Sequence, residues 1–148
     1  SDNLAFMSVG FRHLAARQVD AKFPAYERII PNTTDGATVD RDRWQQAIRR
    51  AMLVGTTSRR KVRLEVDGTV MVVRAASAEI GDAVERVPVT VTGAGWASAF
   101  DGELLADFLA VAEPGEVTYG QAGEKAPARL HQHADTIDFT YILMPLVI

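Results

Sequence analysis

The order of sequence patterns along the chain is the feature that most constrains its fold. A helical pattern at Asp40–Val54 stands between one strand-like stretch and three more, and the same order recurs around a second helical pattern at Asp101–Ala112. Apolar residues three and four positions apart mark the helices, and alternation of apolar and polar residues marks the strands. We therefore predict an α+β fold of two repeated β-α-β-β-β units, with both helices on one face of antiparallel sheets.

Both helical patterns begin at an aspartate that can cap the first turn. In the first pattern, the predicted buried stripe is Trp44, Ala47, Ile48, Ala51 and Met52, and the opposite face carries Arg43, Gln45, Gln46, Arg49 and Arg50. In the second pattern, the predicted stripe is Leu104, Leu105, Phe108, Leu109 and Ala112. Gly55 and Pro114 are predicted to end the two helices.

The predicted strands outside the first 40 residues are Lys61–Asp67, Thr69–Ala75, Arg86–Thr92, Trp96–Phe100, Glu116–Gln121, Ala126–Gln132 and Thr136–Met144. The pair Asp67-Gly68 predicts a tight hairpin turn. Pro88 predicts a sheet edge or a bulge, because proline cannot donate to a ladder.

The first 31 residues are predicted to contain a hairpin and a connector. The hairpin covers Asn3–Val19, turns at Gly10, and has a predicted shared apolar face of Leu4, Phe6, Leu14 and Ala16. Two strands alone are marginal in water, so we expect the hairpin to belong to a larger sheet. The segment Phe23–Pro31, FPAYERIIP, is bounded by two prolines and is predicted to be extended.

The chain ends on an apolar run, YILMPLVI, at Tyr141–Ile148. Up to Leu143 the run continues a strand that alternates, but Ile142 and Met144 make the outward face apolar as well. Pro145 is predicted to stop the sheet pairing. An apolar strip on an outer surface is typical of a docking site.

Composition excludes several classes of function. The 148 residues contain no cysteine, which rules out disulfides, thiolate metal ligands and a cysteine nucleophile. The formal net charge is -3, so charge alone does not make this a nucleic-acid binder. The longest apolar run is too short to span a bilayer, and the first residues lack the pattern of a signal peptide, so we expect a cytoplasmic protein.

Two polar clusters have both a functional and a structural interpretation. His131 and His133 are spaced to point the same way from a strand, as metal ligands or parts of a hydrolase site would, but Arg129 shares their face and opposes a cation. A solvated strand is the better interpretation. The second cluster is Arg59, Arg60, Lys61 and Arg63, which either contacts phosphates or forms a charged strand edge. Leu53 and Val54 are either core residues or an apolar helix end used in association.

Taken together, FPAYERIIP, QQAIRRAMLVG at Gln45–Gly55, VRLEV at Val62–Val66 and the closing YILMPLVI resemble the bacterial DNA polymerase III β subunit family, the sliding clamps. The resemblance covers essentially the whole chain. It implies that residues 1–23 are the terminal hairpin of the middle clamp domain and that residues 24–148 are the third, C-terminal domain. It also implies the DNA clamp fold.

The resemblance implies a non-enzymatic processivity factor without a cofactor or metal. In that family, two chains close head to tail into a ring around double-stranded DNA, and a hydrophobic pocket tethers the polymerase, the clamp loader and other clamp-motif proteins. The implied DNA-facing residues are Arg43, Arg49 and Arg50, and the implied ring interface is Leu53 and Val54. The implied peptide pocket is Pro24, Arg28, Ile29, Ile142, Leu143, Met144, Pro145, Leu146, Val147 and Ile148, with Ala126 and Ala128 at its rim and its other half in the middle domain.

Two departures from the family pattern bear on these implications. Family members often carry a basic residue one place before the end, where this chain has Val147. Family members also commonly present basic residues inward from the second helix. Here that helix offers Glu103 and Asp107, which are also one turn apart as a possible carboxylate pair.

Overall fold

The computed structural model describes residues 3–33, 36–54 and 60–146. The predicted helix stop at Gly55, the basic residue Arg59 and the last two pocket residues, Val147 and Ile148, lie outside the described residues. The strands are β1 (Leu4–Val9), β2 (Arg12–Arg17), β3 (Gly36–Asp40), β4 (Lys61–Asp67), β5 (Val70–Ser77), β6 (Gly81–Thr92), β7 (Trp96–Asp101), β8 (Glu116–Gln121), β9 (Ala128–His133) and β10 (Asp138–Leu143), and the helices are α1 (Arg41–Met52) and α2 (Gly102–Val111).

The predicted α+β fold and its repeated strand-helix-three-strand order are confirmed. β3, α1, β4, β5 and β6 form the first unit, and β7, α2, β8, β9 and β10 form the second. All strand pairs are antiparallel, in one eight-stranded sheet with the order β10-β9-β8-β3-β6-β5-β4-β7. The first strand of each unit therefore pairs with the strand that follows the other unit's helix, which ties the two units into one structure.

Each helix buries the stripe that its spacing predicts, with two exceptions. Trp44, Ile48, Phe108 and Leu109 are all buried in the core. Met52 is half-buried, and Leu104, which was predicted to be buried, is 41% exposed. The two helices also contact each other, because the Gln45 side chain donates a hydrogen bond of 3.0 Å to the Leu109 carbonyl.

Aspartates cap both helices as predicted. The Asp40 carboxylate accepts a hydrogen bond of 2.9 Å from the backbone N–H of Arg43, and Asp101 accepts one of 2.9 Å from the backbone N–H of Glu103. Gly102, directly after the second cap, is held tightly against the first unit. A Cβ at this position would lie 2.7 Å from the Arg60 carbonyl oxygen and 2.9 Å from the Met52 side chain, so only glycine fits without a shift.

Two predictions about the strands of the first unit are confirmed. The turn after Asp67 is a tight hairpin with Gly68 at φ +58°, as predicted. Pro88 lies at an edge as predicted, because residues 81–88 of β6 pair with β5 on one side and with no described strand on the other. It is the last residue of β6 paired with β5, opposite Val70, and the next residue, Val89, pairs with β3. At Pro88, β6 stops pairing with β5 and begins to pair with β3. The N–H that proline lacks is little needed for pairing at such a position.

The N-terminal hairpin forms with its turn at Gly10, but its predicted apolar face is wrong. The register pairs Phe6 with Ala15 and Met7 with Leu14, so Phe6 and Leu14 lie on opposite faces. Phe6, Met7 and Leu14 are all exposed. The hairpin forms its own two-stranded sheet in the described chain.

Neither described helix is long and apolar enough to cross a membrane.

Candidate functional site

The last described residues, 138–146, form an apolar segment, the tail, that is held at a defined place on the sheet. In β10, Leu143 is buried, and Phe139 and Tyr141 pack partly buried against the core. Pairing with β9 ends at Leu143, opposite Ala128. After Pro145 the backbone N–H of Leu146 donates a hydrogen bond of 2.7 Å to the Ala99 carbonyl of β7. The prediction that Pro145 ends sheet pairing is confirmed, since the ladder with β9 stops at Leu143 and the chain then makes a single backbone hydrogen bond with β7.

This attachment leaves part of the tail open to solvent. The Met144 side chain is 62% exposed, although it lies between buried Leu143 and the anchored Leu146. Ile142, Pro145 and Leu146 are half-buried. The tail thus presents apolar side chains at its surface while its backbone is fixed at both ends of the exposed stretch.

The proline-bounded connector contains a single turn instead of the predicted extended chain. Tyr26–Arg28 forms a 3-10 helix, and the Ile29 N–H donates a hydrogen bond of 3.0 Å to the Tyr26 carbonyl. Phe23 packs edge-to-face on Tyr26 with 5.9 Å between ring centroids. The turn leaves Ile29 61% exposed, and Pro24 and Arg28 are also exposed. The connector and the tail therefore both offer open apolar side chains, Ile29 and Met144.

The solvent face of α1 is cationic, but its three arginines differ. The Arg50 guanidinium forms two hydrogen bonds of 2.9 Å with the two carboxylate oxygens of Glu85 on β6. This contact raises the pKa of Arg50 and lowers the pKa of Glu85, because the hydrogen bonds favour both charged forms. Arg43 and Arg49 are exposed and form no ion pair with another described residue. They carry the cationic charge of this face that is open to a ligand.

The C-terminal end of α1 meets an open strand edge. Leu53 is 78% exposed and Val54 is half-buried. The N-terminal half of β6, residues 81–88, pairs with β5 on one side, and no described strand pairs with its other side. Ile80 and Val84 on this half of the strand region are exposed as well. An open edge beside exposed apolar side chains is the kind of surface on which another sheet can dock.

The described residues of the basic cluster at the start of β4 form a solvated face. Arg60 Nε lies 3.6 Å from a carboxylate oxygen of Glu103 on α2, and Lys61 is exposed. Glu103 and Asp107 are both exposed on α2, as expected for a solvated helix face.

The two histidines both contact the carboxylate of Asp138. His131 Nε2 lies 2.9 Å from one oxygen of Asp138, and His133 Nδ1 lies 3.6 Å from the other. The hydrogen bond from His131, with smaller contributions from both charges, holds the pKa of Asp138 below its ordinary value. No group of three or more potential ligands in the described ranges is arranged to hold a metal.

Sequence reasoning missed the polar residues that fix the second unit from inside. Gln121 accepts hydrogen bonds from Ser98 and Tyr119 and donates one of 2.7 Å to the Ala126 carbonyl. Burial raises the pKa of Tyr119, so its hydroxyl stays protonated and can donate to Gln121. The available signal was a glutamine at an inward position of an alternating strand, where an apolar residue is the norm.

The sequence of the chain resembles those of known proteins. The family model described as "DNA polymerase III beta subunit, C-terminal domain" matches residues 27–147. The Beta sliding clamp of Pseudomonas aeruginosa is 30% identical over 132 residues, which are 88% of this chain and 36% of the relative. The chain thus spans about a third of the length of the curated relatives it matches. These names give no support to a hydrolase or metal-binding accessory domain.

Solved structures agree with the relatives. The DNA polymerase sliding clamp from Pseudomonas aeruginosa with ligand superimposes with a TM-score of 0.89 at 26% identity, covering 100% of this chain and 40% of the clamp. A sliding clamp from the same organism bound to griselimycin has a TM-score of 0.89 at 26% identity, covering 99% and 40% of the two chains.

Proposed function

Because the chain belongs to the DNA polymerase III beta subunit family, we propose that it serves as the C-terminal third of a bacterial DNA sliding clamp. Residues 24–148 are then the third clamp domain, and residues 1–23 are the last hairpin of the middle domain. The hairpin supports this division, because its strands pair only with each other in the described chain while the eight-stranded sheet contains all the others. We propose a cytoplasmic location at the replication machinery and a tethering role instead of catalysis.

The proposed ring works by topology and does not need tight DNA binding. A closed ring around duplex DNA retains its partner through effective concentration, so an acidic net charge is no obstacle. The open edge of β6 and the exposed Leu53 support a subunit interface at this end of the molecule. Val54, half-buried beside them, belongs to the same proposed interface.

We assign the proposed DNA-facing role to Arg43 and Arg49 ahead of Arg50. Arg50 is already held by two hydrogen bonds to Glu85, whereas the other two are free to make weak, salt-sensitive phosphate contacts. In a ring of the full-length protein, Arg43→Glu with Arg49→Glu should shorten the residence time on circular DNA. Arg74→Glu, on β5, is the control for a reversed surface charge. Unchanged retention in the double variant would remove both arginines from this role.

The observation that carries the proposed function is the anchored apolar tail. Its backbone is fixed by the Leu146–Ala99 hydrogen bond, yet Met144 remains 62% exposed. A fixed, exposed apolar segment suits short linear peptides with apolar anchors, such as those of a replicative polymerase or a clamp loader. We propose that Pro24, Arg28 and Ile29 form the second wall of the pocket.

The expected affinity is low enough for partners to exchange. Burying about 300 Å² of apolar surface at ~25 cal/mol/Å² yields roughly 7 kcal/mol before the costs of ordering the peptide. Val147 stands where the family often has a basic residue, so we expect no preference for an acidic peptide end from that position.

Equilibrium binding of a fluorescent clamp-motif peptide tests the proposal. Met144→Ala should weaken binding about tenfold, since it removes a large apolar contact. Val111→Ala is the matched control, because Val111 is also 62% exposed and lies at the end of α2. Equal affinities of the wild type and both variants would contradict the proposed pocket.

A further inference from the structure

The outer face of the sheet, opposite the helices, has a depression floored by two glycines. Gly36 on β3 pairs with Thr92 on one side and with Gly120 on the other, and Gly120 pairs with Arg129. Directly opposed residues in an antiparallel sheet place their side chains on the same face. The neighbours Ala37 and Tyr119 are buried in the core, so this row of residues faces outward. Two adjacent positions in the row have no side chain, which opens a hollow between Thr92 and Arg129.

The next row forms the wall of the hollow. Thr38 pairs with Thr118, which pairs with His131, and these residues also face outward. The hollow has a volume of about 160 Å³, and the residues that line it include Thr38, Thr92, Thr118, Arg129 and His131. Gly36 is required there, since a Cβ would lie 2.3 Å from the Tyr119 carbonyl oxygen. The site therefore combines a side-chain-free floor with hydroxyl groups and two basic side chains.

Arg129 is the unsatisfied member of this group. Its Nε is buried and has no hydrogen-bond partner in the part of the chain that the structure describes. No carboxylate of the described residues forms an ion pair with it, whereas His131 is already paired with Asp138. A buried guanidinium N–H without an acceptor is costly, and an oxyanion is its strongest acceptor.

We infer that the glycine-floored hollow of β3, β8 and β9 binds a small oxyanion, with Arg129 as its charged donor and Thr38 as a neutral one. The group is a phosphate or a carboxylate, which share the acceptor geometry that a guanidinium recognises. The site lies on the sheet face away from α1, so it is separate from the arginines proposed to face DNA.

Amide NMR titration of the 148-residue chain tests this site. Inorganic phosphate and acetate are titrated separately, at ionic strength held constant with sodium chloride. We expect saturable shifts at Gly36, Thr38 and Gly120 with at least one of the two anions. A response to phosphate alone identifies a tetrahedral anion, and a response to acetate alone identifies a carboxylate. The absence of saturable shifts with both anions would overturn the inference.

Two variants and a control identify the donors. Arg129→Ala should weaken the binding of the responding anion about tenfold, since a charge-assisted donor is lost. Thr38→Val keeps the side-chain shape and should weaken it by a smaller factor. Arg86→Ala removes an exposed arginine of β6 that does not line the hollow and should leave binding unchanged. Equal weakening by Arg129→Ala and Arg86→Ala would show general charge attraction and would also overturn the inference.

Discussion

The two helices are built on the same spacing and carry opposite surface charge. Counted from the capping aspartate, each helix or its C-cap has buried side chains at positions 4, 7, 8 and 11. In α1 these are Trp44, Ala47, Ile48 and Ala51, and in the second unit they are Leu105, Phe108, Leu109 and Ala112. The exposed face of α1 carries Arg43 and Arg49, whereas that of α2 carries Glu103 and Asp107. The spacing of the buried side chains determines the fold, whereas the exposed side chains can differ in charge without changing it. A role that depends on charge can therefore belong to one helix only.

The prolines of the two units also lie at corresponding places, where a strand changes its partner. In the first unit, β6 leaves β5 at Pro88 and pairs with β3 from Val89 onward. In the second unit, the chain leaves β9 before Pro145 and contacts β7 through Leu146. The tail is therefore the second unit's counterpart of the end of β6, and one backbone hydrogen bond joins its described residues to β7.

The largest expected effect tests the shared spacing. Ile48→Ala and Leu109→Ala remove equivalent, fully buried side chains from the two helices. Each should lower the free energy of unfolding by about 2–5 kcal/mol, because a cavity is left in one common core. Denaturant unfolding followed by circular dichroism measures both. A loss below about 1 kcal/mol in only one variant would show that the units are not equivalent.

The capping aspartates give a smaller, matched pair of effects. Asp40→Ala and Asp101→Ala should each cost about 1 kcal/mol, since each removes a side-chain acceptor for an N-terminal backbone N–H. Asp40→Asn and Asp101→Asn keep an acceptor and are the controls. If the asparagine variants lose as much stability as the alanine variants, the charge and not the cap is responsible.

A third pair of variants tests the hydrogen bond between the tail and β7, which belongs to the second unit only. Leu146→Pro removes the N–H that binds the Ala99 carbonyl and should cost about 0.5–1.5 kcal/mol. Leu146→Ala keeps this N–H and controls for the side chain. Because Met144 loses its anchor, Leu146→Pro should weaken peptide binding more than Leu146→Ala does. The reverse order of the two peptide affinities would contradict the anchoring role of the hydrogen bond.

The smallest effect is a pH dependence of the first unit. The hydrogen bonds from Arg50 lower the pKa of Glu85 below its ordinary value of 4.5. A lowered pKa means that the pair stabilises the fold above that ordinary value, and that this contribution is lost as the pH falls through the lowered one. The thermal midpoint of Glu85→Gln should therefore lie slightly below that of the wild type at pH 7 and converge with it in acid. Glu103→Gln should show a smaller difference at pH 7, because its contact with Arg60 is longer and more exposed. A constant difference at every pH would contradict the role of the Glu85 charge.

Local patterns made most elements predictable from the sequence. The capping aspartates, most of each helical stripe and the alternating apolar residues of β4 depend on neighbouring residues, and they are observed. Non-local pairing was not predictable. The exchange of first strands between units and the contact of Arg50 with Glu85, 35 residues away, depend on how distant segments meet. The prediction of the hairpin's apolar face was wrong for a related reason, since a one-residue change in register moves every side chain to the other face.

Only the apolar tail and connector of the candidate site were predictable from the sequence. The exposed tail and connector were visible as apolar runs with prolines, but the Leu146–Ala99 contact that fixes the tail is tertiary. The glycine-floored hollow had no signal at all, because Gly36 and Gly120 are far apart in the chain and meet only through the β3–β8 register.

Methyl NMR of the chain titrated with the clamp-motif peptide tests whether the connector and the tail form one pocket. With isoleucine and methionine methyl groups labelled, we expect concerted shifts at Ile29 and Met144 and no shift at Ile80, which lies on the β5–β6 side of the first unit. Shifts confined to one of the two residues, or of equal size at Ile80, would contradict the proposed pocket.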